Sequence, residues 1–312
     1  MKPIVLCGPT ASGKTELALE LARQTNGIIL SADSRQVYKR LTVGTAKPAG
    51  AWQNGAYRVD GVPYHLVDFL DVTDTFNAGA FKARAGEIIQ KNPGRQIIFA
   101  GGTGMYLHAF FVGMDELPQS TPQTRETLQK LLAERGKEGL HDALKEKDPA
   151  SAAAIPAGNV QRTMRALELC LLTGKPASEL KSGNFFKLPD KNASQWVYLD
   201  WAKEALHARI NLRTDQIFNG MAEEARTLLT EGYAEDVPAL KSLGYPQAIA
   251  FLKGELARKD AVERVATLTR QYAKRQRTWF NRYTNALRIA LEHPADFDAK
   301  KIARDILSRV TK

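Results

Sequence analysis

The chain has 312 residues, 44% of them hydrophobic and 25% charged, a composition expected of a globular protein long enough to bury a large core and a smaller one. It holds no run of about 18 apolar residues that would span a membrane, no stretch ahead of the first apolar strand in which to place a leader, and only two cysteines, Cys7 and Cys170, without zinc spacing, which points to a reducing cytoplasm. The formal net charge of +10 favours a polyanionic partner, although basic enzymes that never meet nucleic acid are common.

Pro3 to Cys7 form an apolar run leading into Gly8-Pro9-Thr10-Ala11-Ser12-Gly13-Lys14-Thr15, and an Ala/Leu/Glu-rich helical stretch follows to Gln24. Strand, G-x-x-x-x-G-K-[ST], helix is the context in which backbone N–H groups of the loop and of the helix N-terminus converge on anionic oxygens. Lys14 then neutralises phosphate charge and Thr15 holds Mg²⁺. The motif does not say whether the phosphates belong to a nucleotide. Ile28–Ser31 reads as a second strand, Ala78–Gln90 as a helix and Ile97–Ala100 as a third strand, so this part alternates as a parallel sheet with covering helices does.

From Met114 the texture changes to helices with polar faces. Thr121-Pro122 opens one as cap and first-turn proline, Leu128, Leu131 and Leu132 stripe it, and Gly136 ends it. Asn159 caps another that runs through Met164, Leu167 and Leu171 to Gly174. Lys181–Ser194 reads as a loop and Trp196–Leu199 as a strand, after which Ala202–Lys312 is almost entirely helical in pattern. The expected fold class is α/β. A P-loop parallel-sheet core with covering helices occupies 1–113 and 195–312, its carboxy-terminal part helical, and a helical insertion domain occupies 114–194.

The stretch from Arg264 to Ala290 carries Arg264, Arg270, Lys274, Arg275, Arg277, Arg282 and Arg288 without one acidic residue. At 100° per residue Val265, Leu268, Tyr272, Trp279 and Tyr283 fall on one side, with Arg270, Lys274 and Arg277 on the other. The expectation is a helix docked by its apolar face and offering a basic ridge to a phosphate backbone; a solvated charged face is the alternative, but such faces usually mix signs.

A nucleotide-hydrolysing P-loop protein normally has an apolar strand ending in an Asp that supports Mg²⁺. Here Ile97–Ala100 ends in Gly101-Gly102-Thr103-Gly104, whereas Ile28–Ser31 leads through Ala32 to Asp33, then Ser34-Arg35-Gln36-Val37-Tyr38. Taking that strand as the neighbour of the P-loop strand, Asp33 points across the site, either to orient a metal or to accept a hydrogen bond from a nucleophile; the alternative is an Asp that caps a turn.

GPTASGKT at 8–15, SADSRQVY at 31–38, VGTAKP at 43–48, GGTGMYL at 101–107, QRTMRALE at 161–168, LTGKP at 172–176 and KRQRTW at 274–279 together resemble the bacterial tRNA dimethylallyltransferases. The resemblance runs, with its motifs in order, from residue 4 to about 283. It implies transfer of a dimethylallyl group from dimethylallyl diphosphate to the exocyclic N6 amine of the tRNA adenosine at position 37, 3′-adjacent to the anticodon, with Mg²⁺. The P-loop, Gly8 to Thr15, then holds an isoprenoid diphosphate, with Lys14 and Thr15-bound Mg²⁺ stabilising the leaving group. Asp33 accepts the amine proton. Thr10 meets the diphosphate, Thr103 meets either ligand or is a plain turn residue, and Arg209 and Arg213 reach the diphosphate from the carboxy-terminal half, or one of them stays on a helix surface.

The resemblance further assigns tRNA contact to Asp33, Ser34, Arg35 and Gln36, to Thr103, to Arg125 through a looser match, and to Gln161, Arg162, Thr163, Met164 and Arg165. It adds Lys241, Gly244 and Tyr245, and the run Lys274, Arg275, Gln276, Arg277, Thr278, Trp279, Phe280 and Asn281. Gln36 is placed to read the extracted base, and Arg162 with Arg165, one helical turn apart, to clamp phosphates. Two residues depart from the family pattern: Arg35 stands where Met is frequent, and Pro246 replaces a commonly basic residue. A P-loop kinase would leave the basic stretch unexplained, a free-nucleotide isopentenyltransferase would not need it, and a non-catalytic RNA-binding protein would not need Asp33. One RNA surface per chain leads to the expectation of a monomer.

Overall fold

The computed structural model describes residues 1–180, 185 and 187–310, Val310 by its backbone alone. Two compact units divide them: Met1–Phe111 with Leu188–Lys312, and Val112–Lys187. Part of the loop expected over 181–194 lies outside the described residues, at 181–184 and 186; from 187 to 194 the chain is irregular.

The first unit is built on β1 (Ile4–Cys7), α1 (Lys14–Thr25), β2 (Ile28–Ser31), β3 (Ala51–Gln53), β4 (Ala56–Val59), β5 (Val62–His65), α2 (Ala78–Gln90), β6 (Ile97–Ala100) and α3 (Gly104–Phe111). After the second unit it resumes as β7 (Gln195–Trp201), α7 (Lys203–Thr230), α8 (Tyr245–Leu252), α9 (Arg258–Phe280), β8 (Leu287–Leu291) and, after a single 3₁₀ turn, α10 (Ala299–Val310). Eight strands form one sheet in the order β3-β4-β5-β2-β6-β1-β7-β8, parallel from β5 to β8 and antiparallel through β3-β4-β5. β1 is central and fully buried, as a parallel strand covered on both faces must be. One face packs under α1, α10 and the start of α7, with Leu17, Leu21, Ile210 and Ile306 fully buried; the other packs under α2, α3 and the end of α9, with Phe81, Leu107 and Phe280. A third core joins α7, α8 and α9 to the Val37–Leu41 segment.

Two expectations for the first unit change. β2 is not the neighbour of β1, because β6 lies between them, and sequence order does not dictate spatial order in a wound sheet. Ala202–Lys312 contains a strand: the basic stretch leaves its helix at Phe280, and Leu287, Ile289 and Leu291 then alternate inward while Arg288 and Ala290 face solvent, the period of a half-buried edge strand. The hairpin β3-β4-β5 was not foreseen either, although Asn54-Gly55 and Asp60-Gly61 both turn with positive φ at both residues, the chemistry of a two-residue hairpin turn.

The second unit holds α4 (Pro122–Lys147), α5 (Pro149–Ala154) and α6 (Val160–Thr173) around a separate core of Leu128, Leu140, Leu144, Leu167 and Leu169. Thr121 caps α4 by accepting the Thr124 N–H. Gly136, at φ +66°, breaks the helical path, but a further helical stretch follows at once to Lys147, so the expected stop is a kink. α6 is capped by Asn159 and stopped by Gly174 in the left-handed conformation. Leu171 lies outside its buried stripe and is 43% exposed. Among the described residues no helix is long and apolar enough to cross a membrane.

Candidate active site

The loop after β1 turns through Gly8 at φ +145°, Ala11 at +62° and Gly13 at +92°, and Gly13 enters α1 with no side chain capping the first turn. Among the described residues no side chain takes the N–H groups of that turn, which can therefore meet an anion. Lys14 Nζ folds back to donate to Pro9 O at 2.6 Å and Ser12 Oγ at 3.3 Å. Burial lowers the Lys14 pKa to about 8, the Asp33 carboxylate working against that fall. Two arginines of α7 complete the loop. Arg213 Nη2 donates to Thr10 Oγ1 at 2.6 Å, and Arg209 Nε donates to Ala11 O at 2.9 Å with its guanidinium 4.4 Å from the Trp201 ring. Trp201 in turn donates Nε1–H to Ser12 O at 3.0 Å. Burial holds the Arg213 pKa below its ordinary value, again opposed by Asp33.

Facing the loop is the turn after β6, where Gly101 permits contact between two backbones. A Cβ there would lie under 3 Å from the Ala32 carbonyl group, which accepts the Thr103 N–H at 3.0 Å. Thr103 Oγ1 accepts the Ser34 N–H at 3.0 Å, so the turn bearing Thr103 and the segment bearing Asp33 are fastened to each other. Asp33 Oδ1 accepts the N–H groups of Arg35 at 2.8 Å and Gln36 at 3.2 Å, while no hydrogen bond among the described residues engages Oδ2. The carboxylate thus caps its turn with one oxygen and leaves the other for chemistry. Gln36 is 8% exposed, donating Nε2–H to Thr45 O and Ala46 O, and so presents little of itself to a base.

These groups line one cavity of about 450 Å³: Lys14, Thr15 and Arg213 on one side, Asp33 and Gln36 on another, with Tyr64 and Tyr272 in its wall. The two tyrosines were missed by sequence reading. Burial, reinforced by Asp33, pushes the Tyr272 pKa up to about 12 and raises that of Tyr64, so both hydroxyls stay neutral. Tyr64 follows from β5, whose alternation buries it and whose register beside β2 sets Tyr64 against Ile29. Cys7 is buried below the loop, its thiol pushed up to about 12 by burial, and takes no part.

The remaining expected residues divide by exposure. On α9 Lys274, Arg275, Thr278 and, just past its end, Asn281 are exposed; Arg277 is half-buried 3.7 Å from Asp200. Arg270, expected on the basic ridge, is pinned to Glu263 at 2.8 Å and to Asn211 at 2.6 Å, acids and amides that lie outside the basic stretch. Gln276 and Phe280 are buried on the inner side, and Trp279 packs edge-on to His108. In the second unit Arg125, Gln161 and Arg162 are exposed and Met164 half-buried; Thr163 is fully buried and bonded to Asn159 O, and Arg165 is held by Pro118 O and Glu168. Ser34 is half-buried, and Arg35 and Lys241 are exposed, the latter 3.8 Å from Asp236. Gly244 forms a turn at φ +98°, and Tyr245 is fully buried with its hydroxyl on Glu224. Direct RNA contact by the side chains of Thr163, Tyr245, Gln276 and Phe280, expected from the resemblance, is at odds with this burial.

An IPP transferase family model matches residues 36–283 and an isopentenyl transferase model residues 1–64. The chain is similar to the tRNA dimethylallyltransferase of Elusimicrobium minutum, 51% identical over 90% of this chain and 92% of that one, and to that of Myxococcus xanthus, 40% identical over 93% of each. Among solved structures, it resembles the full-length tRNA isopentenylpyrophosphate transferase of Bacillus halodurans with a TM-score of 0.68, 31% identity and coverage of 99% of this chain and 95% of that one. A eukaryotic dimethylallyltransferase solved acting on tRNA shares the fold, with a TM-score of 0.74 at 24% identity over 99% of this chain and 80% of its own. An α/β core with a P-loop, a carboxylate across its cavity and a match over most of its length place this chain in the IPP transferase family, the tRNA dimethylallyltransferases.

Proposed function

We propose that the protein transfers the dimethylallyl group of dimethylallyl diphosphate to the exocyclic N6 of the tRNA adenosine 3′-adjacent to the anticodon. One observation carries the reading: a carboxylate oxygen without a hydrogen-bond partner among the described residues and a pair of half-buried cations, Lys14 and Arg213, line the same cavity, which suits a reaction that takes a proton on one side and releases diphosphate on the other.

The adenine amine is a weak nucleophile because its lone pair is delocalised into the ring. Its nitrogen attacks the allylic carbon, the C–O bond to diphosphate breaks with its electron pair on oxygen, and the amine proton passes to Asp33 Oδ2. Lys14, Arg213 and the open N–H groups of the first turn of α1 stabilise the departing charge. Asp33 Oδ1 stays with its turn, which keeps Oδ2 aimed during proton transfer. Thr15, which lines the cavity, would supply an oxygen to Mg²⁺, an ion that takes few donors from a protein when phosphate oxygens and water supply the rest. A bound Mg²⁺ would add charge stabilisation to the leaving diphosphate. The exposed bases of α9, Lys274 and Arg275, supply phosphate-backbone contacts for the RNA, and Arg125, Gln161 and Arg162 do so from the second unit.

Incubation with radiolabelled dimethylallyl diphosphate and unmodified tRNA, with AMP and ATP as parallel acceptors, tests this reading. Label in tRNA alone is expected. Label in AMP, or none in any acceptor, overturns it.

A further inference from the structure

Gln276 lies within the most basic turn of α9, between Arg275 and Arg277, yet is only 5% exposed. Its amide is used at both ends. Oε1 accepts the Thr10 N–H of the P-loop at 2.8 Å, and Nε2–H donates to Gly102 O of the turn after β6 at 2.9 Å. Gly102 leaves room for this: a Cβ there would sit well under 3 Å from Gln276 Nε2. The turn it grips is the one whose Thr103 hydroxyl holds Ser34, next to Asp33. A single side chain therefore joins the diphosphate loop, the glycine turn and, through Thr103, the segment of the carboxylate. A primary amide suits that place because it offers an acceptor and a donor together, and a buried amide with both ends bonded defines one orientation.

The structure assigns Gln276 as a positioning residue, not an RNA contact: it ties the P-loop and the Thr103 turn to the inner side of α9, so that the diphosphate cradle and the carboxylate keep their spacing only with that helix docked. The inference rests on the proposed diphosphate reading of the P-loop. It changes what the KRQRTW segment does. Lys274 and Arg275 face out, whereas Gln276 reaches inward from the same turn, so a disturbance of the helix is transmitted to the loop that holds the leaving group.

Gln276→Met, close in volume and unable to make either bond, is compared in the full chain with wild type, and Gln276→Glu serves as a variant that keeps the acceptor for Thr10 and loses the donor to Gly102. We measure inorganic pyrophosphate binding by calorimetry in Mg²⁺, tRNA binding by filter retention and single-turnover prenyl transfer at saturating substrates. For Gln276→Met the expected result is a fall of about 10- to 30-fold in transfer rate and in pyrophosphate affinity, the size of two buried hydrogen bonds, with tRNA affinity within about twofold of wild type. Gln276→Glu is expected to bind tRNA as wild type does and to weaken pyrophosphate further by placing a carboxylate beside the loop. Wild-type rate and pyrophosphate affinity in Gln276→Met overturn the inference, as does a loss of tRNA affinity equal to the loss of rate, which would return Gln276 to the RNA surface. If wild type fails to label tRNA the proposed acceptor is wrong, and the pyrophosphate arm still decides the role of Gln276.

Discussion

The Tyr245 hydroxyl donates to Glu224 Oε2 at 2.6 Å, and the same carboxylate accepts the N–H groups of Thr42 at 2.7 Å, Val43 at 2.6 Å and Gly44 at 3.1 Å. A side chain of α7 thus holds a loop that has no strand or helix of its own, and α8 supplies the hydroxyl that fixes the carboxylate. The loop continues to Thr45 and Ala46, which line the cavity and accept the Gln36 amide, and to Lys47, whose buried ammonium donates to Tyr38 O and Asp68 Oδ1, each at 2.6 Å. The VGTAKP segment is therefore a wall with ionic fastenings at both ends.

From this clamp Tyr245→Phe is expected to cost about 1 kcal/mol, one hydrogen bond, and Glu224→Ala at least about 2 kcal/mol because it strands several amides. Denaturant midpoints at constant m measure both. Filter binding should find tRNA affinity unchanged in Tyr245→Phe; a several-fold loss would show that the hydroxyl serves RNA and not the loop.

Asp33→Asn separates the two duties of that residue. The amide oxygen still accepts the Arg35 and Gln36 N–H groups, so the turn persists, but the group no longer takes a proton at neutral pH. Single-turnover transfer should slow by at least about 100-fold, the lower end of general-base effects, with tRNA affinity nearly intact. An unchanged rate would leave Asp33 as a turn cap only.

The parallel core and the P-loop were legible because both are local: an apolar strand, a glycine-bounded loop and an amphipathic helix carry their signals within a few residues. β8 was hidden because its alternation begins inside a basic run whose first part is truly helical, and a charge count cannot see where the period changes from 3.6 to 2. The position of β2 beyond β6, the inward turn of Gln276 and the Glu224 clamp depend on residues far apart in the chain. Motif resemblance marked the segments that hold Gln276 and Tyr245 as functional but could not say which way their side chains face. Of the acids outside the basic stretch, Asp200 comes to Arg277 only through the fold, whereas Glu263 meets Arg270 from two turns earlier on the same helix, a pairing that helical periodicity could have shown.

The role proposed for Lys14 predicts a pH limit on diphosphate capture. Burial lowers its pKa to about 8, so the ammonium is charged below that value and loses its proton as pH rises through it. A diphosphate favours the charged form, hence kcat/KM for dimethylallyl diphosphate should fall above pH about 8, reporting the free enzyme. Lys14→Arg should move that limb to higher pH at a reduced rate. A limb that stays put in Lys14→Arg assigns the ionisation to another group.

On the proposed RNA reading, exposure and pairing decide which bases of α9 bind a phosphate backbone. Lys274 is exposed with no ion pair among the described residues, Arg277 sits 3.7 Å from Asp200, and Arg270 is bound by Glu263 and Asn211. Each phosphate neutralised contributes about 0.7 to 0.9 to the slope of log affinity against log salt. Lys274→Ala should therefore lower that slope by nearly one, Arg277→Ala by less because part of its charge is already spent, and Arg270→Ala by nothing measurable. Filter binding of tRNA over a salt series reads all three. Equal slopes in wild type and Lys274→Ala would make the outer side of α9 a solvated face, and an Arg270→Ala effect as large as that of Lys274→Ala would mean that RNA displaces Glu263 to recruit the arginine.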